Sequence, residues 1–230
     1  MEPPSLQRFL QASVRVSFLA SDGVRLSGRM YGQGGVAVVL AHMGNPGDSL
    51  LDWYPLVLSF PRDRYSVLTF DRRGVCPGGP AGCSRGGDVY QDSWKDVAGA
   101  IRFVRQRGAR AIVVGGASIG AMASLFALQR DQTNVNGFIW IAGLTDASGY
   151  AFTRESVRQL RLPTLIVSAR SDPYLAKESA RRLSHWLGLP KRLLLLPSDL
   201  HGTDMLSADA PAELRGRLVS AIRAFVEDVT

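Results

Sequence analysis

The stretch VVGGASIGAMASLF, residues 113–126, decides the fold. β-branched residues run up to Gly115 and Gly116, a lone serine follows one alanine later, and an alanine-rich pattern begins at once. β-branched residues favour strands and alanine favours helices, so Ser118 marks a strand turning directly into a helix. Gly116 and Gly120 bracket it as G-x-S-x-G, with small Ala117 and Ala121 beside them. So sharp a turn forces its central residue into a strained conformation, and side chains at the flanking positions would collide with the crossing backbone. Small residues relieve that collision. They leave the Ser118 hydroxyl clear of the sheet, above the positive end of the helix. In a chain with 24 glycines the string alone is weak, and a glycine-rich connection is its plain alternative. The strand before it and the helix after it give it weight.

The same alternation extends in both directions. SVRVSFLA (13–20) and VRLSGRMYG (24–32) flank the turn signal Ser21-Asp22-Gly23 and predict a hairpin. VAVVLAHM (36–43) is a continuous apolar run, as expected of a strand covered on both faces. SLLDWYPLVLSF (49–60) reads as a helix interrupted by Pro55, and YSVLTFDRRG (65–74) as a strand. A helix is predicted from Asp92 or Ser93 to Gly108. Further strands fall in VNGFIWIAG (135–143), PTLIVSAR (163–170) and KRLLLLPS (191–198). Helices fall in AKESARRLSHWLG (176–188) and within 210–229, where Pro211 suits a first turn. Strands alternating with helices imply a mostly parallel sheet of about eight strands wrapped on both faces, with the hairpin as an antiparallel edge. No repeat or linker divides the 230 residues, so a single domain is expected.

A hydrophobic fraction of 46% with 20% charge describes an ordinary globular chain, and no apolar run is long enough for a membrane span. The N-terminus lacks a charged segment followed by an apolar one, so no signal peptide is visible. That is compatible with a cytoplasmic protein if Met1 is native, and with a trimmed exported form. The net charge of +7 raises nucleic acid as a partner, but the arginines are dispersed. Arg102 lies opposite the stripe Val97, Ile101, Val104, which describes a solvated helix face, and no zinc-finger or aromatic-interleaved basic motif is present. Cys76 and Cys83, with six residues between them in a Gly- and Pro-rich stretch, are either bridged or free thiols. Their spacing lacks the paired ligands of a zinc site, and no metal or cofactor is expected.

A serine hydroxyl needs a base, and the base an acid to orient it. Of three histidines, His185 sits mid-helix in a surface pattern and His42 lies within the apolar run 36–43. His201, in the loop PSDLHGTDML after the last strand, is free to reach Ser118. SARSDPY puts Asp172 just beyond the end of the penultimate strand, while Asp146, Asp199 and Asp204 are rivals for the acid. Asp71 and Arg73 in FDRRG read as turn-shaping residues.

With AHMGNPG, FDRRG, GASIG, SARSDP and HGTDML in that order, nearly the whole chain resembles the α/β-hydrolases, of the small bacterial kind related to dienelactone-hydrolase-like and serine-aminopeptidase-like groups. The resemblance implies an α/β-hydrolase fold and a serine esterase with Ser118, His201 and Asp172 as nucleophile, base and acid. It also implies an oxyanion hole from the backbone N–H of Ile119 and of the His42-Met43-Gly44 loop. Met43 stands where relatives have glycine, leaving Gly44 and Met43 both as second donor, with Gly44 preferred. His42 matches a structural histidine. Dienelactone hydrolases use cysteine where this chain has Ser118, so their reaction does not carry over. The interval 144–162 leaves room for at most a minimal cap, around TRESVRQL. The implied substrate is a small-molecule or polymeric ester, with Met43, Trp53, Met122, Tyr150, Phe152, Tyr174 and Met205 as candidates for an apolar lining or for ordinary core. Thioesterase, peptidase and perhydrolase chemistry share the same machinery, and a noncatalytic binding protein would keep the same pocket.

Overall fold

The computed structural model describes residues 4–188 and 190–230. Met1 to Pro3, on which the reading of the N-terminus partly rests, lie outside them. Helix α1 (Pro4–Ala12) leads into strands β1 (Ser13–Leu19), β2 (Arg25–Tyr31) and β3 (Val36–Ala41). A 3-10 turn, Leu50–Trp53, runs into α2 (Tyr54–Val57), followed by β4 (Tyr65–Phe70), α3 (Ser93–Gln106), β5 (Ala111–Ala117), α4 (Ile119–Leu128) and β6 (Gly137–Ile141). A small ribbon of β7 (Asp146–Ala147) and β8 (Tyr150–Ala151) precedes α5 (Arg154–Arg158). Then come β9 (Thr164–Ala169), α6 (Ala176–Trp186), β10 (Lys191–Leu196), a 3-10 turn at Gly202–Leu206 and α7 (Ala212–Val229).

The main sheet has eight strands in the order β1-β2-β4-β3-β5-β6-β9-β10. β1–β2 and β2–β4 pair antiparallel, and every pair from β4 onward is parallel. β3, β5, β6 and β9 are buried at every position, which is why their sequences read as unbroken apolar runs. Alternate side chains feed two cores. Val39, Val114 and Phe138 face the α3–α4 side, and Val38, Val113 and Ile139 face the α1–α7 side. After β3 the chain goes to β4 on one side and then to β5 on the other, so the order reverses at the β3/β5 pair. In open sheets of this type that crevice is where ligands bind.

Three local expectations change. Helix α1 precedes the predicted hairpin and is seated by buried Phe9, in a stretch too short to show a clear period. The interruption expected at Pro55 within 49–60 falls just before it: the 3-10 turn passes into α2, and Pro55 sits in the first turn of α2, where a missing N–H breaks no helical hydrogen bond. Pro211 stands just before α7 instead of within its first turn. Cys76 and Cys83, left open by the sequence, form a disulfide. Among the described residues no helix is long and apolar enough to cross a membrane.

Candidate active site

Between Ala111 and Leu125 every residue is buried except Ser118. It has φ 50° and ψ −118°, a conformation that non-glycine residues rarely adopt. The neighbouring strand pins it there, since its N–H donates to Ile141 O at 2.8 Å and its carbonyl accepts from the Ala121 and Met122 amides. The flanking glycines have no room for a side chain. A Cβ at Gly116 would lie 2.3 Å from the Gly120 carbonyl carbon, and one at Gly120 would lie 2.3 Å from Ala41 O. The start of α4 therefore presses directly on the end of β3.

Asp172 and His201 come from adjacent strands, beyond the ends of β9 and β10. The Arg170 amide donates to Leu196 O and the Ser171 amide to Ser198 O, so the two loops run side by side. Both residues are buried, and His201 Nδ1 lies 2.8 Å from Asp172 Oδ2. Asp172 Oδ1 accepts the Tyr174 N–H at 2.9 Å, and the Tyr174 ring packs edge-on against His201, centroids 4.5 Å apart. With Nδ1–H donated to the carboxylate, a neutral imidazole keeps Nε2 as its acceptor. Among the described residues no hydrogen bond joins Ser118 Oγ to His201. Their loops do meet: a Cβ at Gly202 would lie 3.4 Å from the Ala117 Cβ and 2.6 Å from Met43 Sδ. Gly202 has φ +53°, so the residue after His201 needs glycine for both conformation and space.

The third component is the loop after β3. A Cβ on Gly44 would lie 3.1 Å from the Ile119 side chain, which puts Gly44 beside the first residue of α4. The Asn45 amide is taken by Asp48 Oδ2 at 2.5 Å. The amides of Met43 and Gly44 make no hydrogen bond among the described residues. His42 is fully buried, and burial pushes its pKa down to about 3, so its Nε2 stays a neutral acceptor for the Arg72 N–H at 3.2 Å. Asp71 Oδ1 accepts the Leu50 N–H, and burial raises its pKa to about 7. Arg73 is paired with Asp96 and Asp22 and donates its own N–H to Asp96. These side chains hold backbone turns, as the FDRRG reading expects.

Asp146, Asp199 and exposed His185 lie on the surface, and Asp204 is half-buried beside Asp48 and Asp52. Of the seven apolar candidates, Met43, Trp53, Met122, Tyr150, Phe152 and Met205 are core; Tyr174 is 52% exposed at the rim. Tyr90 was not singled out from the sequence, where nothing ties it to the β3 loop. Its hydroxyl donates to Gly44 O at 2.7 Å.

Residues 37–159 match the family described as the alpha/beta hydrolase fold. The chain belongs to that family. Solved structures of this alpha/beta hydrolase's fold include a thermophilic esterase from Thermogutta terrifontis, with TM-score 0.73, 15% identity, and 94% of this chain and 99% of that one covered. An esterase from Pyrococcus furiosus aligns with TM-score 0.72, 13% identity and coverages of 96% and 92%. A meta-cleavage product hydrolase from Pseudomonas fluorescens aligns with TM-score 0.74, 14% identity and coverages of 94% and 98%. At these identities the likeness is one of fold. No curated protein matches the chain by sequence.

Two predictions test this packing. Gly120→Ala is expected to cost at least about 2 kcal/mol, as overpacking against backbone does. Gly216→Ala, where a Cβ meets open space on α7, is expected to add about 0.5–1 kcal/mol. Urea denaturation reads both. Asp52, whose Oδ2 accepts the Ser49 N–H, has its pKa raised to about 6, first by burial and then by Asp48 and Asp204. Folded, it keeps its proton to higher pH than unfolded, so its contribution is full below about pH 4 and is lost as pH rises through 6. Asp52→Asn is therefore expected to raise Tm at pH 8, and to leave it unchanged at pH 4.

Proposed function

We propose that the protein is a serine carboxylesterase working as one catalytic domain, with β7, β8 and α5 as its minimal cap. The observation that carries this reading is the 2.8 Å pairing of His201 Nδ1 with Asp172. Gly202, next to His201, approaches Ala117, next to Ser118, a strained and partly exposed serine at the strand-order reversal of the sheet. Ser118 Oγ attacks the ester carbonyl carbon while His201 Nε2 takes the hydroxyl proton, and Asp172 stabilises the imidazolium. Charge builds on the carbonyl oxygen, facing the amides of Ile119 and Gly44, with Met43 as the alternative donor. Each donor stabilises the transition state by about 3–4 kcal/mol. The intermediate collapses by breaking the bond to the alcohol oxygen, which takes the proton from His201. Water then attacks the acyl-enzyme with His201 as base, releasing the carboxylic acid and restoring Ser118.

The Met43 and Gly44 amides have no acceptor among the described residues, and Met43 is a buried residue; a buried N–H is rarely left unpaired without a purpose, which favours the reading. A cap limited to β7, β8 and α5 suits an exposed or polymeric ester. Thioesters, peptides and peroxide-dependent acyl transfer use the same groups, so the substrate panel must separate them.

A fluorophosphonate is expected to label one site per chain, and Ser118→Ala to abolish both labelling and hydrolysis of p-nitrophenyl esters, with a loss of about four orders of magnitude or more in kcat/KM. Wild type that binds ester without labelling or turnover would instead mark a noncatalytic binding protein. A peptide, a thioester and a polyester run beside the acyl series identify the class.

A further inference from the structure

The loop expected to hold the oxyanion ends in a glycine, the residue least able to hold a conformation by itself. An oxyanion donor works only when its N–H is already aimed at the position of the developing charge. Something outside the loop must therefore aim it, and the structure points to Arg72 and Tyr90.

Arg72 acts on the first end of the loop through its main chain, its N–H donating to His42 Nε2 at 3.2 Å. Its guanidinium is buried, pairs with Asp88 and lies over the Tyr90 ring, 4.6 Å from the centroid. The Tyr90 hydroxyl then donates to Gly44 O at 2.7 Å, at the other end. The peptide unit after Gly44 is gripped twice, since its carbonyl is held by Tyr90 and its N–H, that of Asn45, by Asp48 Oδ2 at 2.5 Å. Between the two anchors lie the Met43 and Gly44 amides, both without an acceptor among the described residues. Tyr90 is itself held at its carbonyl, which accepts the Tyr150 hydroxyl at 2.8 Å. The segment that delivers Tyr90 is tied down upstream: Cys76 is bonded to Cys83, and Ser84 Oγ donates to Asp71 O and accepts the Ser27 N–H.

We propose that Tyr90 is a positioning residue: backed by Arg72, its hydroxyl fixes the Gly44 carbonyl and so keeps the Met43 and Gly44 amides aimed at the oxyanion beside Ile119. Tyr90 touches no reacting atom in this scheme; its effect passes through Gly44. The inference rests on the esterase reading for its consequence in catalysis, but the clamp itself is a property of the folded chain.

The test uses Tyr90→Phe in the full chain, which keeps the ring under Arg72 and removes only the hydroxyl. Two measurements are made. Hydrogen–deuterium exchange is followed in peptides spanning residues 42–48, with those spanning 199–206 as the internal reference. Steady-state hydrolysis of a p-nitrophenyl ester is followed against pH. The expected result is faster exchange over 42–48 with 199–206 unchanged. In the same variant kcat falls about 10- to 100-fold, the size that misplacement of an aligned group produces. KM stays within about twofold and the acidic limb of the pH profile is unmoved, because the Asp172–His201 pair is untouched. Unchanged exchange over 42–48 overturns the clamp. Faster exchange with unchanged kcat, or with a loss in KM alone, overturns its role in aiming the amides. A wild type with no turnover of any ester, together with faster exchange in the variant, defeats the esterase reading and leaves the clamp standing.

Discussion

One backbone conformation, that of Ser118, constrains much of what surrounds it. A non-glycine residue at φ 50° costs on the order of 1–3 kcal/mol and persists only when its neighbours over-determine it. Here the neighbours are the β6 carbonyl that takes its N–H and two helix amides that share its carbonyl. The turn closes only because Gly116 and Gly120 leave no gap, which brings the first turn of α4 against the last carbonyls of β3. That contact also decides where the chain leaving β3 can go. Gly44 lands beside Ile119, so the geometry of a single turn selects the amides that can face the serine.

Behind the site the chain uses buried polar side chains to shape backbone. Arg73 and Asp96, Asp71 and Leu50, and Arg72 and His42 each pair a side chain or ring nitrogen with a main-chain or charged partner. Burying a charge is costly unless it is paired, and removing one partner costs more than the pair contributes. Such pairs therefore act less as a source of stability than as a fixed frame for the β3 loop. The low pKa of His42 belongs to this arrangement, because a protonated ring could not accept the Arg72 N–H.

The parallel strands were legible because, buried on both faces, they read as unbroken apolar runs, and the Ser118 turn because its geometry tolerates so few residues. Asp172 and His201 were legible by position, each a short step beyond a strand end, and the structure brings them within hydrogen-bond distance. Helix α1 was hidden because a nine-residue amphipathic segment starting on Pro4 has too little length for its period to stand out. The ribbon of β7 and β8 has two residues per strand, below any pattern. Pairing of Cys76 with Cys83 depends on loop conformation, which spacing alone does not give. Tyr90 was invisible for a deeper reason. Its partner Gly44 is 46 residues away and is engaged through a backbone carbonyl, a contact that leaves no residue-type signature.

The central claim is that the turn at Ser118 presents a nucleophile to an oxyanion site made by the amides of Ile119 and the β3 loop. A crystal structure of the protein after reaction with a fluorophosphonate tests it most directly. Phosphorus is expected to be bonded to Ser118 Oγ, with the phosphoryl oxygen about 3 Å from the Ile119 nitrogen and from that of Gly44 or Met43. Phosphorus on another side chain, or a phosphoryl oxygen turned to solvent with those amides unengaged, would contradict it.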